Sequence, residues 1–180
     1  MSVSLDGFIA GQPDQPERLH DWMFPASGAP SAENQAVMHE LMERLGATIA
    51  GRNTYDLGDS QDGYVDDPYQ VTNVILSHSV PEKPAKGNMK FVFVADGVES
   101  ALEQARAAAG EKDIAIGGGA SVAQQYLSAG LVDEVWLHVV PVLMGGGLRL
   151  FGATDAPIEL EQYEALAAEG VTHLKFRVVR

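Results

Sequence analysis

The chain has 180 residues, 46% of them hydrophobic, which is enough for one compact domain with a sizeable core. Its 12 basic and 25 acidic residues give a formal net charge of −13, so its overall field repels nucleic acids and anionic membranes, and we expect neither as a partner. There is no cysteine, which excludes disulfides and zinc–thiolate sites, and the five histidines lack metal-ligand spacing, so we expect no metal.

No stretch approaches the roughly 18 apolar residues of a membrane span. The first residues have no basic region and carry Asp6 inside their first apolar run, unlike a secretion signal. We therefore expect a cytoplasmic protein. A strand that begins almost at Met1 also leads us to expect that the natural chain starts a few residues earlier.

The first part of the chain predicts a strand, a long loop and a helix. "MSVSLDGFIAG" is typical of a short strand that runs into a glycine-rich bend. Residues 12–30 are rich in Pro, Gly and Asp and predict a loop of the kind that often covers a binding site. Ser31 is suited to cap a helix that Gly46 ends, with one apolar face made of Val37, Met38, Leu41, Met42 and Leu45.

The middle of the chain predicts strands alternating with helices. "ATIAGR" is typical of a buried strand, and residues 53–69 predict an acidic loop with five aspartates. The residue register of a calcium loop is absent there, so a solvated loop is the favoured interpretation. "VTNVILS" and "FVFV" predict two strands, residues 98–109 a helix, "IAI" a strand and residues 120–129 a second helix.

The last third predicts three strands, "DEVWLHVVPVL", "IELEQYEAL" and "THLKFRVVR". In the third, Leu174, Phe176 and Val178 alternate with Lys175 and Arg177, which is the period of a half-exposed antiparallel strand. The order βαβββαβαβββ favours an α/β fold with a mixed sheet.

Two glycine triplets interrupt these elements. Gly117–Gly119 end a strand and precede a helix, so the backbone can approach a ligand closely while the first helical turn offers free N–H groups to a phosphate. A tight structural turn explains the same stretch equally well. Gly145–Gly147 have no helix behind them, and we favour a simple loop crossing over a flexible rim of a pocket.

Two other strand ends carry groups that suit a phosphate. "IAGRNTYD" offers Arg52 with Asn53 and Thr54, and "VILSHS" offers Ser77 and His78. Ligands of open α/β sheets bind beyond the carboxyl ends of the strands, so the three strand ends together predict an anion-binding cleft. The alternatives are that Arg52 pairs with an acid of residues 56–67 and that His78 is an ordinary surface histidine.

Five motifs, "SLDGFIAG", "GRNTYD", "VILSHS", "IGGGASVAQQYL" and "LVDEVWLHVVPVLMGGGLRLF", occur in this order over nearly the whole chain. The chain thereby resembles the dihydrofolate reductase-like superfamily, and in particular the branch of the C-terminal reductase domain of riboflavin biosynthesis enzymes and its stand-alone relatives. The resemblance implies a three-layer α/β/α fold with a mixed, mostly parallel central sheet and a single domain over residues 1–180. It also implies NADPH as cofactor, a small-molecule substrate and a homodimer.

The resemblance assigns cofactor-binding roles by position. Ile9 would border the nicotinamide, and the other groups would meet the phosphates, the adenosine end and the pyrophosphate in turn: Gly51, Arg52, Asn53 and Thr54; Leu76, Ser77 and His78; and Gly117, Gly118, Gly119, Ala120, Ser121 and Val122. It further implies a cis peptide bond at Gly117–Gly118 or Gly118–Gly119.

The expected function is an NADPH-dependent reductase that transfers a hydride to a small heterocyclic (pterin- or pyrimidine-like) or carbonyl substrate. The acid that classical dihydrofolate reductases carry early in their first long helix falls near Gln35 here, and Glu33 and Glu40 are not clean matches, so dihydrofolate is not favoured. Only Arg18 and His20 are cations in the loop of residues 12–30, which disfavours the phosphorylated riboflavin precursor.

Three residues are candidates for catalysis. Asp6 is either a proton relay or a turn-capping residue before Gly7. Trp22 is either an apolar wall over the substrate or an anchor of its loop, and Glu40 is a nearby acid; Tyr126 we expect in the core. The alternative function is a catalytically inactive nucleotide-binding or sensor protein that keeps the dinucleotide site.

Overall fold

The computed structural model describes residues 1–12, 18–65, 70–83, 85–152, 154 and 156–180. These residues form two compact units, Leu41–Ala123 (the continuous unit) and Met1–Glu40 with Gln124–Arg180 (the discontinuous unit). Among the described residues, none of the helices has the length and apolarity needed to span a bilayer. The strands are β1 (Ser2–Ser4), β2 (Phe8–Ala10), β3 (Leu45–Gly51), β4 (Thr72–Leu76), β5 (Lys90–Val94), β6 (Asp113–Gly118), β7 (Glu134–Val140), β8 (Leu148–Arg149), β9 (Leu160–Ala168) and β10 (Val171–Val178); the helices are α1 (Ala32–Arg44), α2 (Arg52–Ser60), α3 (Val98–Ala109) and α4 (Ala120–Ser128).

The continuous unit is built on a parallel sheet with strand order β5-β4-β3-β6. The sheet is covered by α3, whose alanines at a spacing of four residues, Ala101, Ala105 and Ala109, are buried on one helix face. Gly46 lies inside β3, where a Cβ would be 2.8 Å from the carbonyl oxygen of Ala109. Glycine therefore allows this strand to approach the end of α3, and it does not end α1 as predicted, because α1 already ends at Arg44.

The discontinuous unit contains a sheet with strand order β1-β7-β10-β9, in which β1 runs parallel to β7 and the other pairs are antiparallel. Part of its core is formed by Leu19, Trp22, Val140 and Val171. Leu19 and Trp22 belong to the predicted long loop, so the described part of that loop is anchored in the core. Residues 13–17 of the loop lie outside the described residues.

The acidic loop predicted over residues 53–69 is wrong for its first part, because Arg52–Ser60 form α2. The helix buries Tyr55 in an aromatic cluster with Tyr64, Phe91 and Phe93. Asp59 and Asp62, which the prediction placed in a solvated loop, accept hydrogen bonds from the backbone and side chain of Lys86. Residues 66–69 lie outside the described residues, and no group of residues suited to a metal ion occurs among the described ones.

Two short strands were also missed. The opening "SLDGFIA" forms β1 and β2, separated by a turn in which the Gly7 N–H donates to the carbonyl of Ser4. Strand β8 lies in "LRLF" and pairs antiparallel with β2. Gly147 faces β2 so closely that a Cβ would be 2.1 Å from the carbonyl oxygen of Ala10. The second glycine triplet is therefore a packed loop crossing in this structure.

The alternating pattern of β10 is present, but the buried face is the polar one. His173 is 1% and Lys175 2% exposed, whereas Leu174 and Phe176 are only half-buried. The buried face carries polar side chains because it meets polar partners: the His173 ring lies against the Asn34 amide, and the Lys175 ammonium lies between carboxylates. On α1, the buried face begins one turn before the predicted apolar face, at the polar residue Asn34, while Met42 is 40% exposed.

Candidate functional site

The candidate cofactor site lies at the C-terminal edge of the parallel sheet. Strands β4, β3 and β6 are neighbours, and their last residues are in register, Gly51 with Leu76 and Ala50 with Gly118. Parallel strands end at the same edge, so the three predicted segments come together there: residues 51–54, 76–78 and 117–122. Their adjacency is the geometric condition that the sequence-based site required.

The glycine turn after β6 packs tightly against the turn after β3. The peptide bond Gly118–Gly119 is cis, at one of the two positions expected. A Cβ on Gly118, whose φ is +154°, would lie 2.9 Å from the methyl and hydroxyl groups of Thr54. On the opposite side, a Cβ on Gly51 would lie 3.1 Å from the side chain of Val122. The close approach of these two turns therefore depends on glycine.

Two helices begin at this edge, α2 at Arg52 and α4 at Ala120. Gly51 precedes α2 and supplies no side-chain cap to its first turn. Backbone N–H groups of a first turn have no partner inside the helix and carry a partial positive charge. Two such N-termini beside a glycine turn make a good environment for the phosphates of a dinucleotide.

Arg52 lies at this edge and pairs with an acid, as one of its two interpretations expects, while its role in binding an anion stays a prediction. Its Nε donates to Asp56 Oδ1 at 2.8 Å, the acid pairing considered above, and its Nη1 donates to the Ser79 carbonyl at 3.0 Å and more weakly to Ser77 Oγ at 3.4 Å. Its Nη2 makes no hydrogen bond to the described residues. The guanidinium is thus held in place with donors left for an anion.

The other predicted cofactor residues differ in their surroundings. Asn53 and His78 are exposed near the sheet edge, while Ala120 and Val122 are buried. Ile9 is half-buried in β2 and belongs to the discontinuous unit, so its assignment beside the nicotinamide stays a prediction.

Asp6 has contacts that favour the turn-capping interpretation. Its carboxylate accepts hydrogen bonds from Ser4 Oγ at 2.6 Å, from the Met144 N–H at 3.1 Å and from the Gly145 N–H at 2.8 Å. The Ser4 hydrogen bond, helped by the two backbone donors, lowers the pKa of Asp6 to about 2. A carboxylate held ionised in this way fastens the loop that follows β7 to the first turn of the chain.

Trp22 and Tyr126 are core residues. Trp22 is 6% exposed, and its Nε1 donates to Ser2 Oγ at 3.0 Å. Its ring lies 4.8 Å from that of His138 and 4.9 Å from that of His173, so it anchors its loop on the sheet. Tyr126 is 1% exposed, as expected.

Glu40 belongs to a charged cluster around a buried lysine. The Lys175 ammonium lies 2.6 Å from Glu40 and 2.8 Å from Glu164, and 4.3 Å from the centre of the Trp136 ring. Burial alone would lower the pKa of Lys175, but the hydrogen bonds to Glu164 and Glu40 outweigh it and raise that pKa. Lys175 is therefore a charged residue that holds α1 to the sheet.

Sequence reasoning missed a pair of buried histidines beside this cluster. The Nδ1 atoms of His138 and His173 are 2.8 Å apart, and His173 Nε2 is 3.0 Å from Asn34 Oδ1. Burial lowers the pKa of both rings, that of His138 to about 2, and the nearby charge of Lys175 acts in the same direction. The period of two along β7 and β10 contains a signal, because it places both histidines on the same face as Lys175.

A pocket of about 260 Å³ lies elsewhere in the discontinuous unit, between α4 and the start of β9. It is lined mainly by apolar side chains such as Leu127, Phe151 and Leu160. None of the predicted site residues lines it. Its size alone does not connect it with the candidate site.

Comparison with known proteins identifies the family. The model of the RibD C-terminal domain family matches residues 1–174. The chain belongs to this family. Among curated proteins, the uncharacterised protein YyaP of Bacillus subtilis is 26% identical over 159 residues, which covers 84% of this chain and 77% of YyaP.

Solved structures share the fold of this chain. A protein from Shewanella sp. PV-4, provisionally named as a riboflavin biosynthesis protein, is 27% identical to this chain and has a TM-score of 0.79. The match spans 99% of this chain and 96% of the Shewanella protein. Dihydrofolate reductase from Enterococcus faecalis, solved with NADP(H), is 16% identical to this chain and has a TM-score of 0.60. The match spans 99% of this chain and 93% of the reductase. The expected α/β class and dihydrofolate reductase-like fold are thereby confirmed.

Proposed function

We propose that this chain is an NADPH-dependent reductase that transfers a hydride to a small heterocyclic (pterin- or pyrimidine-like) or carbonyl substrate. The observation that carries the proposal is the meeting of three predicted phosphate-binding segments at one edge of a parallel sheet. Membership of the RibD C-terminal domain family and the fold shared with a dihydrofolate reductase support it.

The residues at the sheet edge fit a dinucleotide phosphate. The N-termini of α2 and α4 offer backbone donors, and glycines at 51 and 118 keep side chains out of the turns. Arg52 supplies positive charge and donors that its contacts with Asp56 and Ser79 leave over. When bound, NADPH supplies the hydride, and the protein's part is to hold and orient the reactants.

Among the candidate catalytic residues, Glu40 stays a candidate within this proposal as a hydrogen-bond acceptor for the substrate. Its side chain is 42% exposed and its carboxylate is oriented by Lys175. Asp6 is a poor proton donor near neutral pH because its pKa is about 2, and we assign it to the loop clamp. We assign Trp22 to the anchor of its loop.

The test is a titration with NADPH and with NADP⁺, followed by an oxidation assay. We expect tight binding of NADPH, measured by its fluorescence, and loss of NADPH absorbance with at least one member of a panel of pterins, pyrimidines and quinones. Failure to bind either nucleotide would refute the cofactor site. Binding without oxidation of NADPH by any compound of the panel would refute the reductase while leaving the cofactor site intact.

We also propose that the protein is a homodimer. On the face of the sheet opposite Lys175, the apolar side chains of Leu137, Leu174, Val135 and Phe176 pair across β7 and β10 and are only half-buried. Such a face is suited to cover by a second copy. Light scattering coupled to gel filtration should give twice the monomer mass, and Leu174→Glu should shift it to the monomer mass; a monomer at all concentrations would exclude the homodimer.

A further inference from the structure

The buried histidine pair belongs to a hydrogen-bond chain whose direction is fixed at one end. Asn34 Nδ2 lies 3.2 Å from the Trp22 carbonyl oxygen and 3.1 Å from the Glu169 carbonyl oxygen. Only an NH₂ group satisfies two carbonyl acceptors, so the orientation of the Asn34 amide is determined. Its Oδ1 therefore points at His173 and acts only as an acceptor.

The fixed amide determines the tautomers of both histidines. His173 Nε2 must carry a hydrogen, because it lies 3.0 Å from Asn34 Oδ1. The ring is neutral, since burial and the charge of Lys175 lower its pKa, so its Nδ1 is an acceptor. His138 Nδ1, 2.8 Å away, must then be the donor, and His138 Nε2 is left as a bare acceptor.

That acceptor has no hydrogen-bond partner among the described residues. His138 Nε2 is also not one of the fully enclosed polar atoms that lack a partner there, so part of it is open to solvent among the described residues. His138 keeps 8% of its surface exposed. The hydrogen bonds from Asn34 through His173 to His138 thus end in an unprotonated ring nitrogen that is not fully enclosed.

A hydroxyl group lies at the paired position of the neighbouring strand. Ser2 is in register with His138 on the neighbouring strand β1 and is likewise 8% exposed. Its Oγ accepts the hydrogen bond from Trp22 Nε1 at 3.0 Å and makes no further hydrogen bond to the described residues, so its own hydrogen is left to donate. A donor and an acceptor are therefore carried by paired residues of neighbouring strands, and the Trp22 ring lies 4.8 Å from that of His138.

We propose that His138 Nε2 and the Ser2 hydroxyl form a recognition pair for a lactam edge, an N–H next to a C=O, on a small planar heterocycle. The ligand N–H donates to His138 Nε2 and its carbonyl accepts from Ser2 Oγ. Asn34 and His173 are positioning residues, because they hold the His138 ring in the tautomer that leaves Nε2 bare. The inference rests on the proposed function only in taking this ligand to be the substrate.

The first test uses the wild-type protein and no ligand. Nitrogen-15 NMR of the imidazole rings should find hydrogen on Nδ1 of His138 and on Nε2 of His173. Asn34→Leu removes the acceptor that holds His173 and should release these tautomers. A hydrogen on Nε2 of His138 in the wild-type protein would overturn the proposal.

The second test uses uracil, which carries the lactam edge, and 1,3-dimethyluracil, which keeps the carbonyls but has no N–H. Uracil should shift the nitrogen resonance of His138 Nε2, and the dimethyl compound should bind about tenfold more weakly, the effect of one lost hydrogen bond in a largely buried site. Ser2→Ala and His138→Phe should each weaken the binding of uracil by a similar factor. His39→Phe, on the exposed side of α1, is the control and should leave uracil binding unchanged.

Equal shifts by the two compounds, or no shift with uracil up to its solubility limit, would overturn the recognition pair. NADPH binding is measured separately on the same sample, and the proposed cofactor site contains none of these residues. Loss of NADPH binding alone would therefore count against the proposed function and leave the recognition pair standing, and the reverse holds for loss of uracil binding alone.

Discussion

Acid should destabilise this protein before its carboxylates titrate, because two histidines are buried in the neutral form. The pKa of His138 is lowered from 6.5 to about 2, first by burial, and that of His173 is lowered for the same reason. Below pH 6.5 the unfolded chain gains a proton at each ring that the folded protein does not bind. The free energy of unfolding is therefore highest above pH 6.5 and falls as the pH drops towards the folded pKa.

The magnitude follows from the width of the pH interval. Each pH unit between the unfolded and folded pKa values costs about 1.4 kcal/mol per histidine, so moving from pH 6.5 to pH 5.0 removes about 2 kcal/mol through His138 alone. His173 acts in the same direction. Asp6 contributes nothing in this interval, because its pKa is lowered from 3.8 to about 2 and its stabilisation is lost only between those values.

Urea unfolding followed by tryptophan fluorescence at pH 7 and pH 5 measures the effect. The wild-type protein should lose at least about 2 kcal/mol between the two pH values, and His138→Gln should lose about 2 kcal/mol less than the wild type. His39→Gln removes a histidine from the exposed surface and is the matched control. Equal losses in the wild type and in His138→Gln would refute the reasoning, whatever the variant's stability at pH 7.

Four further predictions concern the sheet edge, the lysine cluster and the domain. In fluorescence titrations, Arg52→Ala should weaken the binding of NADPH by about tenfold and the binding of NADH by a smaller factor. Equal losses of affinity for the two nucleotides would mean that the guanidinium does not contact the 2′-phosphate. Gly118→Ala should lower the free energy of unfolding by about 1–3 kcal/mol, because the added Cβ would lie 2.9 Å from Thr54 of α2. Gly117→Ala is the control and should cost less, because the nearest atom to its Cβ would be 3.8 Å away. The opposite order of the two costs would contradict the steric account. Lys175→Met should lower the free energy of unfolding in urea by about 1–2 kcal/mol, a moderate cost because the two glutamate partners are partly solvated. Arg177→Met, on the same strand, should lower it by less than about 0.5 kcal/mol. Equal costs for the two variants would count against a stabilising role of the lysine cluster. Calorimetry should show one unfolding transition if residues 1–180 form the single domain expected from sequence, and two separated transitions would contradict it.

Elements with local signals were predictable from the sequence. Helix α3 has the predicted bounds, Val98–Ala109, and is flanked by Gly97 and Gly110, both with positive φ. Ser31 caps α1 as expected, its Oγ accepting from the Asn34 N–H at 3.2 Å. The three strand ends of the candidate site were identified because each motif is short and contiguous. Their roles in binding a cofactor stay predictions.

Elements that depend on distant partners were not predictable in this way. The Asp- and Gly-containing segment that forms α2 has weak helix propensity, and its burial comes from Phe91 and Phe93, far along the chain. The polar face of β10 is buried only because Asn34 and Glu40 supply partners from α1. Alternation of apolar and polar residues gives the period of a strand, but the neighbours decide which face is buried.

The strand order β1-β7-β10-β9 has a consequence for biosynthesis. On the ribosome, β1 emerges before the other described strands, but the described strand with which it pairs, β7, comes more than a hundred residues later, with Ser2 opposite His138. Strand β7 in turn needs β10, which is made last of the strands. The nascent chain therefore holds an unpaired amino-terminal segment through most of translation, while β3 to β6 are already complete, and we expect this segment to be where molecular chaperones engage the growing polypeptide.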